Sequence, residues 1–164
     1  MRCLSHVNSL HGELGGHSDD GSVEYESRLH WTLESEANLL GVVCTAAGLM
    51  TAAPYRVVDA SHWVFEGTEL RQGDLFGEKT LHERVPGGAS GHETDKRSAS
   101  SPANTVLLAK GTNPDEGGAE VVCHEPAGGG AVFSVGSITW IPALFPDQHV
   151  SRITRNVLTR FLRD

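Results

Sequence analysis

Until the C-terminal segment, apolar positions along the chain come as short runs bounded by Gly, Pro or Asp. That is the pattern of strands rather than of long helices. The first two runs are Leu39-Leu40-Gly41-Val42-Val43-Cys44 and His62-Trp63-Val64-Phe65. Three more follow, Thr105-Val106-Leu107-Leu108-Ala109, Ala119-Glu120-Val121-Val122-Cys123 and Ala131-Val132-Phe133-Ser134-Val135, with Pro126-Ala127-Gly128-Gly129-Gly130 as the last turn. All five predict strands, the last three also by their β-branched content. Beyond Trp140 the spacing changes: Val150, Ile153, Val157, Phe161 and Leu162 recur at helical intervals with Arg152, Arg155, Arg160 and Arg163 between them. This predicts an amphipathic closing helix with Asp147 as its N-cap, Ile153 and Phe161 turned inward, and arginines at the negative end of its dipole.

Two polar stretches break this order. Residues 1–38 hold few apolar clusters and include the turn-forming run from His17 to Ser22, so they read as a loop or attachment segment ahead of a domain over 39–164. Gly67 to Asn104 reads as a long glycine-bearing loop, functional or poorly ordered. Together the elements predict an α/β domain with a mostly parallel sheet, a terminal β-rich pair or meander, and the helix packed on it.

At 164 residues and 17.5 kDa, with 38% hydrophobic residues, the chain is sized for one domain. Thirteen Lys and Arg against twenty-one Asp and Glu give a net charge of −8, which argues against nucleic acid as a partner. Residues 147–164 are the exception, with four basic and two acidic groups. Those arginines mark either a docking surface or a solvated helix face, the second being the plainer reading. Cys3, Cys44 and Cys123 form no metal-like doublet and cannot all pair within one chain. The longest mainly apolar stretch, Leu39 to Pro54, is shorter than the roughly 20 residues of a membrane span, and the start has no signal-peptide core. The expectation is a soluble, cytoplasmic protein with reduced thiols and no membrane partner.

Candidate chemistry concentrates in Gly87-Gly88-Ala89-Ser90-Gly91-His92-Glu93-Thr94-Asp95. Alternation puts Glu93 and Asp95 on one side of an extended backbone, where repulsion could raise one pKa and make an acid and base pair. A solvated acidic turn is the plainer alternative. Glu66, closing the run Trp63-Val64-Phe65, sits where parallel-sheet enzymes expose catalytic groups, and could equally be an ordinary polar terminus. His11, Glu13 and His17 match no standard zinc spacing. No Walker loop, G-x-S-x-G elbow or G-x-G-x-x-G occurs. Cys44 reads as a buried structural thiol, and Trp31, Trp63 and Trp140 as core or subunit-contact aromatics.

Several words of the chain, in order, resemble the C-terminal region of the N,N-dimethylformamidase large (beta) subunit family. They include Ser9-Leu10-His11-Gly12-Glu13-Leu14-Gly15-Gly16, Leu40-Gly41-Val42-Val43, Pro54-Tyr55-Arg56 and Trp63-Val64-Phe65-Glu66-Gly67. The block from Gly87 to Lys96, the block from Gly129 to Trp140 and the block from Val150 to Leu158 continue the series, while residues 17–38 carry it most weakly. The resemblance implies a class I glutamine amidotransferase-like (flavodoxin-like) layered domain, here the incomplete C-terminal part. It implies an amidohydrolase that cleaves a small-molecule formamide to formate and an amine, in an iron-containing oligomer of large and small subunits. In that family two tyrosines and a glutamate upstream of this region hold the iron. Tyr25 and Tyr55 match no ligand context, so no metal or cofactor residue is carried over. Glu66, then Glu93 with Asp95, are the catalytic candidates once the small subunit and the remaining large-subunit regions are present; the chain alone is expected to be inactive. A non-catalytic structural or assembly domain of the same family is the alternative, and an amidotransferase-like sugar-utilisation domain a third.

Overall fold

A computed structural model describes residues 35–44 and 47–163. Its centre is a five-stranded sheet in the order β4-β3-β7-β8-β9, formed by β3 (Tyr55–Val57), β4 (Leu75–Phe76), β7 (Val106–Gly111), β8 (Glu120–His124) and β9 (Val132–Ser134). Every pairing in it is antiparallel. Two small ladders flank it: β1 (Val43–Cys44) with β6 (Asp95–Lys96), and β2 (Ala52–Ala53) with β5 (Ser90–Gly91). The helices are short α1 (Ala37–Leu40), α2 (Trp140–Ala143) and the long α3 (Gln148–Phe161).

The antiparallel sheet overturns the expected mostly parallel, flavodoxin-like α/β domain. Only residues 112–119 separate β7 from β8, and only 125–131 separate β8 from β9. A parallel crossover needs a dozen or more residues, so these links permit hairpins alone. The strand expected over His62–Phe65 is a 3-10 turn, Trp63–Phe65, wound by successive bonds from Phe65 N to His62 O, Glu66 N to Trp63 O and Thr68 N to Phe65 O. Val64 and Phe65 are adjacent and both buried, an arrangement a strand offers only when both of its faces are covered. The run Leu39–Cys44 divides into the end of α1, a left-handed turn at Gly41 and the two residues of β1. The supposed loop from Gly67 to Asn104 contributes three short strands. Residues 1–34, including most of the proposed attachment segment, lie outside the described residues.

β8 shows how the layers are set. All five residues are buried, with Val121 and Cys123 packed in the main core. Glu120, Val122 and His124 point to the other face, where Glu120 pairs with Arg97 at 2.9 Å and His124 Nε2 lies 3.1 Å from the Leu39 carbonyl. The sheet is therefore covered on one face by α3, α2 and the 3-10 turn, and on the other by α1 and the β1–β6 ladder. A register shift between Leu107 and Ala109 in β7 leaves Leu108 and Ala109 both fully buried, as a bulge does.

α3 behaves as its periodicity requires. Asp147 accepts bonds from His149 N and Val150 N, both at 3.1 Å, and Val150, Ile153 and Val157 are buried. Phe161 departs from the inward expectation: it is 38% exposed, with its ring against Trp63 at 6.4 Å. Asp147→Ala should cost about 1 kcal/mol in urea unfolding and Asp147→Asn much less, while Ile153→Ala should cost about 2–5 kcal/mol.

Candidate functional site

The Gly87–Lys96 segment is shaped first by backbone. Gly88 has φ +151°, and a Cβ there would stand 2.2 Å from the Ala53 carbonyl carbon, so only glycine lets this strand lie against β2. Ser90 is then locked: its hydroxyl donates to Asn113 Oδ1 at 2.7 Å and accepts from Ala119 N at 3.0 Å. Asn113 Nδ2 in turn donates to the Ser90 carbonyl at 3.0 Å and to Thr51 Oγ1 at 2.8 Å. This buried polar node ties β5 to the β7–β8 hairpin.

Two residues past β5, Glu93 is exposed, and β6 sets Asp95 half-buried opposite Cys44. Burial, then the like charges of Glu36 and Glu93, push the Asp95 carboxyl up to about 6, against a lowering by the Cys44 thiol and Lys96. Burial, then the charges of Asp95, Glu93 and Glu36, push Cys44 up to about 12, which leaves it protonated and a poor nucleophile. A carboxyl that titrates near 6 can give or take a proton close to neutrality. Beside it, burial lowers the Lys96 amine, whose Nζ donates to the Ala47 carbonyl at 3.0 Å.

His92, in the left-handed region at φ 68°, meets a histidine that the linear pattern did not single out. Val85 N donates to His82 Nδ1 at 2.9 Å, so His82 in its neutral form carries its proton on Nε2. That nitrogen lies 3.2 Å from His92 Nδ1, so a neutral His92 ring that accepts this proton carries its own on Nε2. No sequence spacing announces this pair, because β5 and its turn alone bring the two rings together.

Glu66 stands elsewhere. It is exposed, follows the 3-10 turn, and its backbone carbonyl accepts from Asn156 Nδ2 of α3 at 2.8 Å. Glu66 thus belongs to the helical layer and Asp95 to the layer on the opposite face of the sheet. The structure brings Glu93 near Asp95 and does not bring Glu66 to either.

The sequence matches the family described as N,N-dimethylformamidase beta subunit-like, C-terminal, over residues 11–152. The chain belongs to that family. The N,N-dimethylformamidase beta subunit of Paracoccus aminophilus is 34% identical over 130 aligned residues, a match covering 62% of this chain and 16% of that protein. The protein of the same name from Alcaligenes sp is 31% identical over the same shares. This member of the family therefore spans a small part of the length of those relatives.

Its described residues do not fit an iron centre built on tyrosines. Tyr55 is fully buried, its hydroxyl donates to the Val135 carbonyl at 2.6 Å, and burial drives its pKa upward, away from the phenolate a metal needs. Tyr25 lies outside the described residues. Among the described residues, no group of three or more His, Cys, Asp or Glu could hold a metal ion, and no helix is long and apolar enough to cross a membrane.

The Asp95 shift has a thermodynamic sign. Folding raises its pKa from 3.8 to about 6, so between those values the native state binds more protons than the unfolded one, and stability falls as pH rises through that window. Asp95→Asn should therefore raise the thermal midpoint near pH 8, with the gain shrinking as pH falls from about 6 toward about 4. A gain that is constant with pH would contradict the assignment.

Proposed function

We propose that this chain is the C-terminal part of the large subunit of a formamide-hydrolysing amidohydrolase, active when assembled with the remaining large-subunit regions and a small subunit. The family match, over a span that is 16% of each beta subunit, supports this reading most directly. In it, water adds to the formyl carbon, the C–N bond breaks, and the departing nitrogen takes a proton to leave as an amine beside formate. The iron centre belongs to the other large-subunit regions in this reading.

Of the sequence candidates, Asp95 has the environment suited to the proton transfer: it is half-buried, held near 6, with Glu93 alongside. Glu66 is exposed on the opposite layer, so one substrate cannot touch both. In the assembled enzyme, Asp95→Asn should lower kcat for formate release about a hundredfold, and should remove a limb of the pH profile near 6. A comparable loss in Glu66→Gln, with Asp95→Asn unaffected, would move the acid and base role to the helical layer.

The structural or assembly reading is favoured by one observation, the apolar side chains left uncovered around α2: Ile141 is 70% exposed and Phe145 95%. It predicts full activity in both carboxyl variants, and loss of subunit association in Ile141→Ser with Phe145→Ser, read by size-exclusion chromatography of the co-expressed subunits.

A further inference from the structure

The arginines of α3 form a surface that the proposed chemistry does not use. Arg152, Arg155, Thr159 and Arg163 follow one another at helical intervals and, with Trp63 and Asn156, line a groove of about 340 Å³. No acidic residue occurs within Gln148–Phe161, and Glu66 is the one carboxylate in the groove. The Arg152 guanidinium lies over the backbone of Gly67. Among the described residues, no ion pair or hydrogen bond engages the guanidinium groups of Arg152, Arg155 or Arg163. At its far end the groove shares Trp63 and Arg160 with a second cavity of about 590 Å³, walled by Phe161, Pro126, Gly129 and Ala131. There the Arg160 guanidinium sits 5.8 Å from the Trp63 ring centroid and the Phe161 ring 6.4 Å from it.

We propose that this groove is a docking site for an acidic protein segment that carries a large apolar side chain beside its carboxylates. From Arg152 to Phe161, the last residue of α3, the helix rises about 14 Å, and Arg163 stands two residues beyond that end. A single phosphate or carboxylate cannot bridge that distance, whereas an extended segment of about five residues covers it. Guanidinium groups pair with carboxylates through paired N–H donors. The neighbouring cavity, with its aromatic wall, takes the apolar side chain. A nucleic acid satisfies the arginines but not the rest of the surface, since residues outside the α3 region hold nineteen acidic groups against nine basic ones. The proposal stands on the groove alone and is independent of the formamide-hydrolase reading.

The full chain is titrated, by fluorescence anisotropy, with a labelled peptide of five glutamates followed by phenylalanine. Binding is expected, weakening as salt rises. The double variant Arg155→Glu with Arg163→Glu, both exposed and therefore foldable, should bind about tenfold more weakly or worse, with an unchanged circular dichroism spectrum. A peptide of five serines and phenylalanine should not bind, and five glutamates without phenylalanine should bind several-fold more weakly. Equal competition by inorganic phosphate or by a short DNA duplex would overturn the proposal, as would wild-type affinity in the double variant. Equal affinity without the phenylalanine would overturn the apolar anchor.

Discussion

The contact on which the rest of the fold depends is the aromatic cluster around Trp140. Its ring meets Tyr55 at 5.6 Å, Phe76 at 6.1 Å and Phe133 at 6.5 Å, all near edge-on, and Tyr55 stacks on Phe76 at 5.5 Å. These rings come from β3, β4, β9 and α2, so one cluster clamps both edges of the sheet to the helical layer. Its polar atoms are satisfied as well: Trp140 Nε1 donates to Thr154 Oγ1 of α3 at 3.1 Å, and the Tyr55 hydroxyl to Val135. Edge-to-face packing adds to the burial of large rings, and each buried donor without a partner would cost more than a typical hydrogen bond gains.

With one face of the sheet committed to that cluster, the other face is left to smaller and more polar contacts. α1 is too short to stabilise itself, and its last carbonyls are met from outside. His124 lies against the Leu39 carbonyl, Ser134 donates to that of Leu40 and Ser101 to that of Gly41. The β1–β6 ladder beside it is two residues long, yet it holds Cys44, Asp95 and Lys96 together. Glu36 and Glu93 act on Asp95 from the N-cap position of α1 and from the turn before β6. Carboxylates kept so close raise the pKa of the buried one and cost stability where it must ionise.

Charge is divided in the same way as packing. The acidic residues gather in the loops and the β1–β6 layer, while Arg152 and Arg155 of α3, with Arg163 just beyond its end, stand across the sheet. In the proposed reading, the half-buried Asp95 carboxyl on one face and the basic, aromatic-edged groove on the other serve chemistry and association separately.

Much was legible before any fold was known. α3, its Asp147 cap and its buried Ile153 follow from helical periodicity, and the extended runs that became β7, β8 and β9 follow from β-branched content and turn residues, because both signals are local. The family words were legible too. Strand direction was not, since an apolar run looks alike in parallel and antiparallel sheets; the short links between β7, β8 and β9 decided it. Nor was the 3-10 turn at Trp63–Phe65, where adjacent apolar residues satisfy one buried face only by winding. Local order in the sequence determined which segments would be regular and which face of α3 would be buried. Only tertiary structure decided that Asp95 pairs with Cys44 within reach of the Glu36 charge, that His82 meets His92, and that Glu66 stands apart, because those distances are set by layers folding onto one sheet and not by spacing along the chain.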